Sequence, residues 1–145
     1  MEETTVIALK GSIEKWQKIV AGTGVDKGPT NCPLCQLFNS FTQALNKTVC
    51  VGCPVRDKTD IRFCRLTPFE DWEHYWETVD GTFGLEPKPL VGDYAKQHAE
   101  AVAIAQREVD FLTSLLPTAE IDPTLINDEV QRTRSAPDRA GQKAD

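Results

Sequence analysis

The chain has 145 residues, of which 40% are hydrophobic and 26% are charged, and its formal net charge is −6. These values are ordinary for one globular domain with a tail. The acidic total argues against bulk electrostatic attraction to nucleic acid or anionic lipid, and no apolar stretch approaches the ~20 residues that span a bilayer. Met1–Thr5 lacks the basic and apolar regions of a signal peptide. We therefore expect a cytoplasmic protein whose cysteines stay reduced.

Residues 6–21 are predicted to form a helix because apolar side chains recur there at helical spacing. Lys15 and Lys18 lie off this apolar stripe and are expected on the polar side. Gly11 weakens the pattern, so a start at Ser12, acting as the N-cap, is the alternative.

All five cysteines lie between positions 32 and 64. Four of them form two Cys-x-x-Cys motifs, Cys32–Cys35 and Cys50–Cys53, separated by fourteen residues. Two such motifs at this spacing are typical of a tetrathiolate metal site. We predict a structural Zn²⁺ held by Cys32, Cys35, Cys50 and Cys53, with Cys64 in place of Cys50 as the main variant.

Two other interpretations of the cysteines stay open. Cys32, Cys35, Cys50 and Cys64 are separated by two, fourteen and thirteen residues, a spacing that resembles that of high-potential iron–sulfur proteins. A [4Fe-4S] cluster is therefore the alternative cofactor. The third interpretation is that the cysteines are reduced, buried and serve only as small apolar side chains.

The residues around the two motifs predict their local structure. Pro33 suits the first turn of a helix that continues through an apolar stripe to Leu45. Residues 48–51 could form a short strand, and Gly52 allows a tight turn inside the second motif. A helix after the first motif favours a treble-clef-like or zinc-knuckle cysteine cluster inserted in a small, mostly α-helical domain.

The segment from 47 to 65 is basic, with five cations against Asp57 and Asp60. One hypothesis is that this patch contacts phosphates or an acidic protein. The other is that it balances the charge of −2 carried by four thiolates on Zn²⁺. The five cations are Lys47, Arg56, Lys58, Arg62 and Arg65.

Two further helices are predicted downstream. Thr67-Pro68 has the composition of a helix start, and Trp72, Trp76 and Val79 follow on one stripe. Asp93 is expected to cap a long helix over about 94–116, which ends before Pro117. Residues 117–145 read as a polar C-terminal tail, disordered from about 131.

Four sequence features occur in a fixed order: CPLC at Cys32–Cys35, CxxCPV at Cys50–Val55, the lone Cys64, and Thr-Pro-Phe-x-x-Trp at Thr67–Trp72. This combination resembles the pattern of small cysteine-rich phage and prophage proteins. The likeness covers about a third of the chain. It implies that all five cysteines belong to one region, a phage-like origin and a cytosolic setting. It implies no activity.

The sequence thus predicts a single domain over residues 1–116 that is stabilised by a bound metal. No nucleophile–base pair, phosphate-binding glycine loop or pair of catalytic carboxylates is recognisable, so we expect a non-enzymatic module. The leading hypothesis is a zinc-stabilised protein-interaction or adaptor module with another protein as its partner. The alternatives are a nucleic-acid-binding zinc module that uses the basic segment, and an iron–sulfur protein.

Overall fold

The structure, a computed structural model, describes residues 1–82, 87–90 and 92–120. The described chain is mostly helical, which confirms the predicted fold class. None of the described helices is long and apolar enough to cross a membrane. The helices are α1 (Glu3–Val20), α2 (Pro33–Phe38), α3 (Phe41–Leu45), α4 (Pro54–Thr59), α5 (Pro68–Asp80), α6 (Asp93–Gln97) and α7 (Ala99–Ser114), with 3-10 turns at Gly28–Asn31 and Thr118–Glu120.

Two very short strands complete the secondary structure. β1 (Val25–Asp26) and β2 (Lys88–Pro89) pair antiparallel, with Asp26 opposite Lys88. The chain divides into two units, Met1–Leu115 and Leu116–Asp145. The predicted disorder from about residue 131 falls outside the described residues.

Helix α1 begins three residues before the predicted start. Ser12 does not cap it, because Ser12 is buried in the middle of the helix and its Oγ accepts a hydrogen bond of 3.2 Å from the Leu34 N–H. The buried face of α1 packs against α7 and α2. The first helix is therefore joined directly to the start of the first cysteine motif.

The prediction of a strand at 48–51 is wrong, since residues 49–52 form turns. The helix expected to run from Pro33 to Leu45 is interrupted at Asn39–Ser40. Ser40 and Gln43 explain the break: the Ser40 N–H donates to the Gln43 side chain at 2.8 Å and the Gln43 N–H donates to Ser40 Oγ at 3.2 Å. This reciprocal capping box starts a new helix.

Helix α5 begins as predicted. Thr67 is its N-cap and accepts a hydrogen bond of 3.2 Å from the Phe69 N–H. Trp72 and Trp76 are buried, whereas Val79 is 48% exposed and was wrongly assigned to the apolar stripe. Trp72 stands edge-on to Trp16 of α1 and to Trp76, with ring centroids 5.0 and 5.6 Å away.

The single helix predicted over 94–116 is divided into α6 and α7 by His98. His98 leaves helical geometry (φ −125°, ψ 52°), and its Nδ1 lies 2.7 Å from the hydroxyl of Tyr75. Asp93 is the first residue of α6 rather than its cap, because Gly92 occupies the cap position. The buried face of α7 consists of Ala101, Ile104, Ala105, Glu108, Val109 and Leu112.

The most highly connected polar side chain in the described fold is Asp26, which is 0% exposed. Its Oδ1 accepts hydrogen bonds from Lys15 Nζ at 2.7 Å and from the Gly28 N–H at 2.9 Å. Its Oδ2 accepts from Trp72 Nε1 at 2.9 Å and lies 3.9 Å from Lys88 Nζ. One carboxylate therefore joins α1, β2, α5 and the loop that precedes the first cysteine motif. Lys15, which the sequence places on the polar side of α1, is instead buried as the main cation bound by Asp26.

Asp26→Ala is expected to lower the free energy of unfolding by about 3–5 kcal/mol, because it removes the anion that pairs with the buried Lys15 at 2.7 Å. The matched control is Asp93→Ala, which breaks the Asp93–Lys96 pair of 3.3 Å whose side chains are 90% and 83% exposed. That change is expected to cost at most about 1 kcal/mol. Urea unfolding followed by circular dichroism measures both. Equal losses in the two variants would contradict the assignment of Asp26 as the central interaction.

Candidate metal centre

All five cysteines line one cavity of about 210 Å³. None of the five is in a disulfide. The cavity wall also contains two carboxylates, Glu73 and Glu108, and two cations, Lys15 and Arg56. The remainder of the wall is largely apolar and includes Trp16, Leu34, Phe38, Val55, Phe69 and Leu112.

The first motif is positioned by α1 and α2. Cys32 occupies the N-cap position of α2 and Pro33 its first turn, as the sequence predicts. Ser12 of α1 holds this end of α2 in place, because its Oγ accepts from the Leu34 N–H and lies 3.7 Å from the Cys32 sulfur. The first pair of thiols is thus attached to the longest described helix.

The second motif folds back onto the end of α2. The Cys50 N–H donates a hydrogen bond of 2.6 Å to the Phe38 carbonyl. Gly52 has a φ of +91°, and a Cβ at this position would meet the Phe38 ring at 3.1 Å. The predicted glycine turn is therefore confirmed, both by its backbone conformation and by the close approach of an aromatic ring. Cys53 then occupies the N-cap position of α4, followed by Pro54.

Cys64 reaches the cavity from the loop that leads into α5. The hydroxyl of Thr67 donates to the Cys64 carbonyl at 2.6 Å, so the cap of α5 also fixes this cysteine. The surrounding loops contain six non-glycine residues in the left-handed region, a conformation that costs roughly 1–3 kcal/mol per residue. They are Lys47, Cys50, Asp60, Phe63, Cys64 and Leu66.

The two thiols of the first motif have opposite pKa shifts. A hydrogen bond from the Cys35 thiol lowers the pKa of Cys32 to about 6; burial opposes this effect and the Lys15 charge assists it. The same hydrogen bond raises the pKa of Cys35, and burial and the Cys32 charge add to that rise. At neutral pH the pair therefore consists of one thiolate and one thiol that donates to it.

Burial dominates the pKa values of the other shifted groups in the cavity. It raises the pKa of Cys53, although the backbone N–H groups of Val55 and Arg56 favour the thiolate. It raises the pKa of Cys64, with further contributions from Cys32 and Glu108. It also raises the pKa of Glu108 to about 8, and the Cys32 charge adds to this shift.

A single zinc ion binds sulfur at about 2.3 Å, so its ligands must lie close together. Within residues 1–82, 87–90 and 92–120, no group of three or more His, Cys, Asp or Glu side chains has the arrangement that would hold one metal ion. The structure thus places the predicted ligands Cys32, Cys35, Cys50 and Cys53, and the variant Cys64, around a shared cavity. Zinc binding by four of them stays a prediction.

The basic segment surrounds the second motif and Cys64. Lys47, Lys58, Arg62 and Arg65 are exposed. Arg56 is half-buried and contributes to the cavity wall. Four of the five predicted contact residues are therefore accessible, and the fifth lies near the thiols.

Sequence reasoning missed Glu108 and Lys15. The available signal for Glu108 was its register on α7: it lies four residues after Ile104 and four before Leu112, both buried. A carboxylate at the centre of an apolar helix face is unusual and indicates a partner across the interface. No comparable signal existed for Lys15, because its partner Asp26 lies on a two-residue strand that no sequence pattern marks.

Comparison with protein-family models, with curated proteins and with solved structures finds no match to this chain. The resemblance to cysteine-rich phage and prophage proteins therefore stays an expectation. Any functional conclusion has to come from the chemistry of the cavity.

In the metal-free, reduced protein, Cys35→Ala is expected to raise the pKa of Cys32 from about 6 toward its ordinary value of 9.0, because the hydrogen bond that favours the thiolate is lost. Cys35→Ser, which keeps a hydrogen-bond donor at this position, should leave the pKa of Cys32 low. The ultraviolet absorbance of the thiolate as a function of pH measures both. Identical titrations of the two variants would contradict the role of this hydrogen bond.

The same shift predicts a pH dependence of folding. The folded-state pKa of Cys32 lies below its unfolded value, so its ionisation stabilises the metal-free fold above the unfolded pKa. That stabilisation is lost as the pH falls through about 6, and in Cys35→Ala this loss should shift to higher pH.

Proposed function

We propose that this protein binds an inorganic cofactor through the thiols of the cavity, and that the cofactor is an iron–sulfur cluster. The observation that carries the proposal is the convergence of five cysteines, from three separate loops, on one largely apolar cavity of about 210 Å³. Cysteine thiolates are the usual ligands of such clusters. The exclusion of water by the aromatic and aliphatic wall is one of the factors that set their reduction potential.

The size of the cavity favours a cluster over a single ion. One water molecule occupies about 30 Å³ in the liquid, so a cavity of about 210 Å³ has room for a group of several atoms. Zinc in the same cavity remains the competing proposal; either cofactor takes four cysteine ligands and would leave the fifth cysteine outside its coordination sphere.

The loops that carry the cysteines also support a bound cofactor. Helices α3 and α4 make few contacts with the other elements, and four left-handed non-glycine residues lie between positions 60 and 66. Other interactions of this segment have to offset that backbone strain. Coordinate bonds from Cys50, Cys53 and Cys64 would supply such stabilisation, since a structural metal site contributes about 10–16 kcal/mol in small zinc domains. We infer that the cofactor organises this segment.

The decisive measurement is the iron, acid-labile sulfide and zinc content of protein purified without oxygen. We expect iron and sulfide in comparable amounts and absorbance in the visible range. Cys53→Ser should lose most of both, because Cys53 is 7% exposed and lines the cavity. Val51→Ala, in the same turn but 49% exposed, should retain them and is the matched control.

Three results would count against the proposal. Zinc without sulfide would favour the competing zinc site. Protein without either metal would exclude both forms of the proposal, and so would a Cys53→Ser variant with an undiminished metal content.

A second candidate function is contact with another protein at the surface of the cysteine-bearing loops. Five large apolar side chains between positions 37 and 66 are exposed, among them Phe63 (55%) and Leu66 (72%). Exposed apolar side chains combined with basic ones indicate an acidic protein surface as the partner. Most of the five are aliphatic, whereas binding of single-stranded nucleic acid relies on aromatic side chains that stack on bases. They are Leu37, Leu45, Val51, Phe63 and Leu66.

The double change Phe63→Ser/Leu66→Ser is expected to abolish cross-linking to a specific acidic protein in cells that express the chain. Val79→Ser changes a 48% exposed residue on α5 and should preserve that cross-link. Fluorescence anisotropy with labelled duplex DNA and single-stranded RNA at low salt tests the nucleic-acid alternative. Binding that weakens steeply with salt and requires Arg62 and Arg65 would contradict the protein-partner proposal.

A further inference from the structure

Glu108 is a buried carboxylate without a counter-charge of its own. It is 3% exposed on α7, and among the described residues no group hydrogen-bonds its Oε1. The nearby cation Lys15 is already engaged by Asp26 at 2.7 Å and by the Gly28 carbonyl at 3.3 Å. Arg107, the preceding residue on the helix, pairs instead with Asp71 at 3.1 Å.

The surroundings of Glu108 explain why this arrangement needs a further partner. Glu108 lines the same cavity as the five cysteines, and the Cys32 thiolate disfavours the ionised form of its carboxyl group. An unsatisfied buried polar group destabilises a fold, and a charged one does so more strongly. A bound metal reverses the sign of the interaction, because it is the largest positive charge in its site.

We propose that Glu108 is an oxygen ligand of the inorganic centre, which is therefore held by cysteine sulfur together with one carboxylate. This inference rests on the proposed function, since it requires a metal in the cavity. It assigns a role to Oε1 of Glu108, which has no hydrogen-bond partner among the described residues, whereas the Phe69 backbone N–H already bonds the carboxyl group. It also distinguishes the site from an all-sulfur zinc or iron–sulfur site.

The first test uses the unaltered full-length protein. X-ray absorption at the edge of the bound metal, with Mössbauer spectra of iron-57-enriched protein if the metal is iron, should detect an oxygen ligand beside sulfur. In Glu108→Leu this oxygen contribution should disappear. Glu100→Leu, an exposed position on the same helix, should leave it unchanged.

The second test separates a ligand from a merely structural carboxylate. In metal-free protein, Glu108→Leu should leave the melting temperature unchanged or raise it, because an apolar side chain replaces an unsatisfied polar one. In metal-loaded protein the same change should lower the melting temperature, because a bond to the metal is lost. Shifts of the same sign in both forms would overturn the inference.

The outcomes distinguish this inference from the proposed function. Metal-loaded protein with only sulfur ligands would overturn the role of Glu108 and leave the cofactor proposal standing. Protein without metal would overturn both. Should Glu108→Leu fail to fold, the spectra of the unaltered protein alone decide between oxygen and sulfur coordination.

Discussion

The fold depends on the burial of one carboxylate among cations and N–H donors. Asp26 is a short side chain on a two-residue strand, yet it joins α1, α5 and β2 through Lys15, Trp72 and Lys88. A charge buried in this way is tolerated only when every partner is in place. The packing of the first and fifth helices is therefore tied to a single electrostatic arrangement. Lys15 extends that arrangement to the cavity wall, so the fold and the candidate site share a residue.

The elements that the sequence predicts correctly are those determined by local chemistry. Thr67 and Pro68 start α5 through a cap and a fixed φ angle, and both effects act within a few residues. The long C-terminal helix was predicted as one piece because its apolar periodicity continues through residue 98. The interruption arises from His98, whose ring meets Tyr75, 23 positions earlier in the chain. A contact at that separation leaves no trace in a helical pattern.

In the candidate site too, features set by local chemistry are predictable from the sequence, whereas those set by distant contacts are not. The Cys-x-x-Cys spacing is sufficient to predict that the thiols converge, and Gly52 to predict the turn of the second motif. Spacing alone does not determine the distances between the thiols, which decide whether one ion or a larger group fits. The strand expected at 48–51 fails because Cys50 adopts a left-handed conformation, a choice imposed by its hydrogen bond to Phe38. Glu108 lies 44 residues beyond the last cysteine, Cys64, and could enter the site only through tertiary packing.

The row of indole rings through the core gives the cavity an intrinsic optical reporter. Trp16 lines the cavity and stands 5.0 Å from Trp72, which in turn lies 5.6 Å from Trp76. These are all three tryptophans of the chain. A coloured cofactor beside Trp16 would accept excitation energy from the whole row, so the emission of the protein would follow the occupancy of the cavity without any added label.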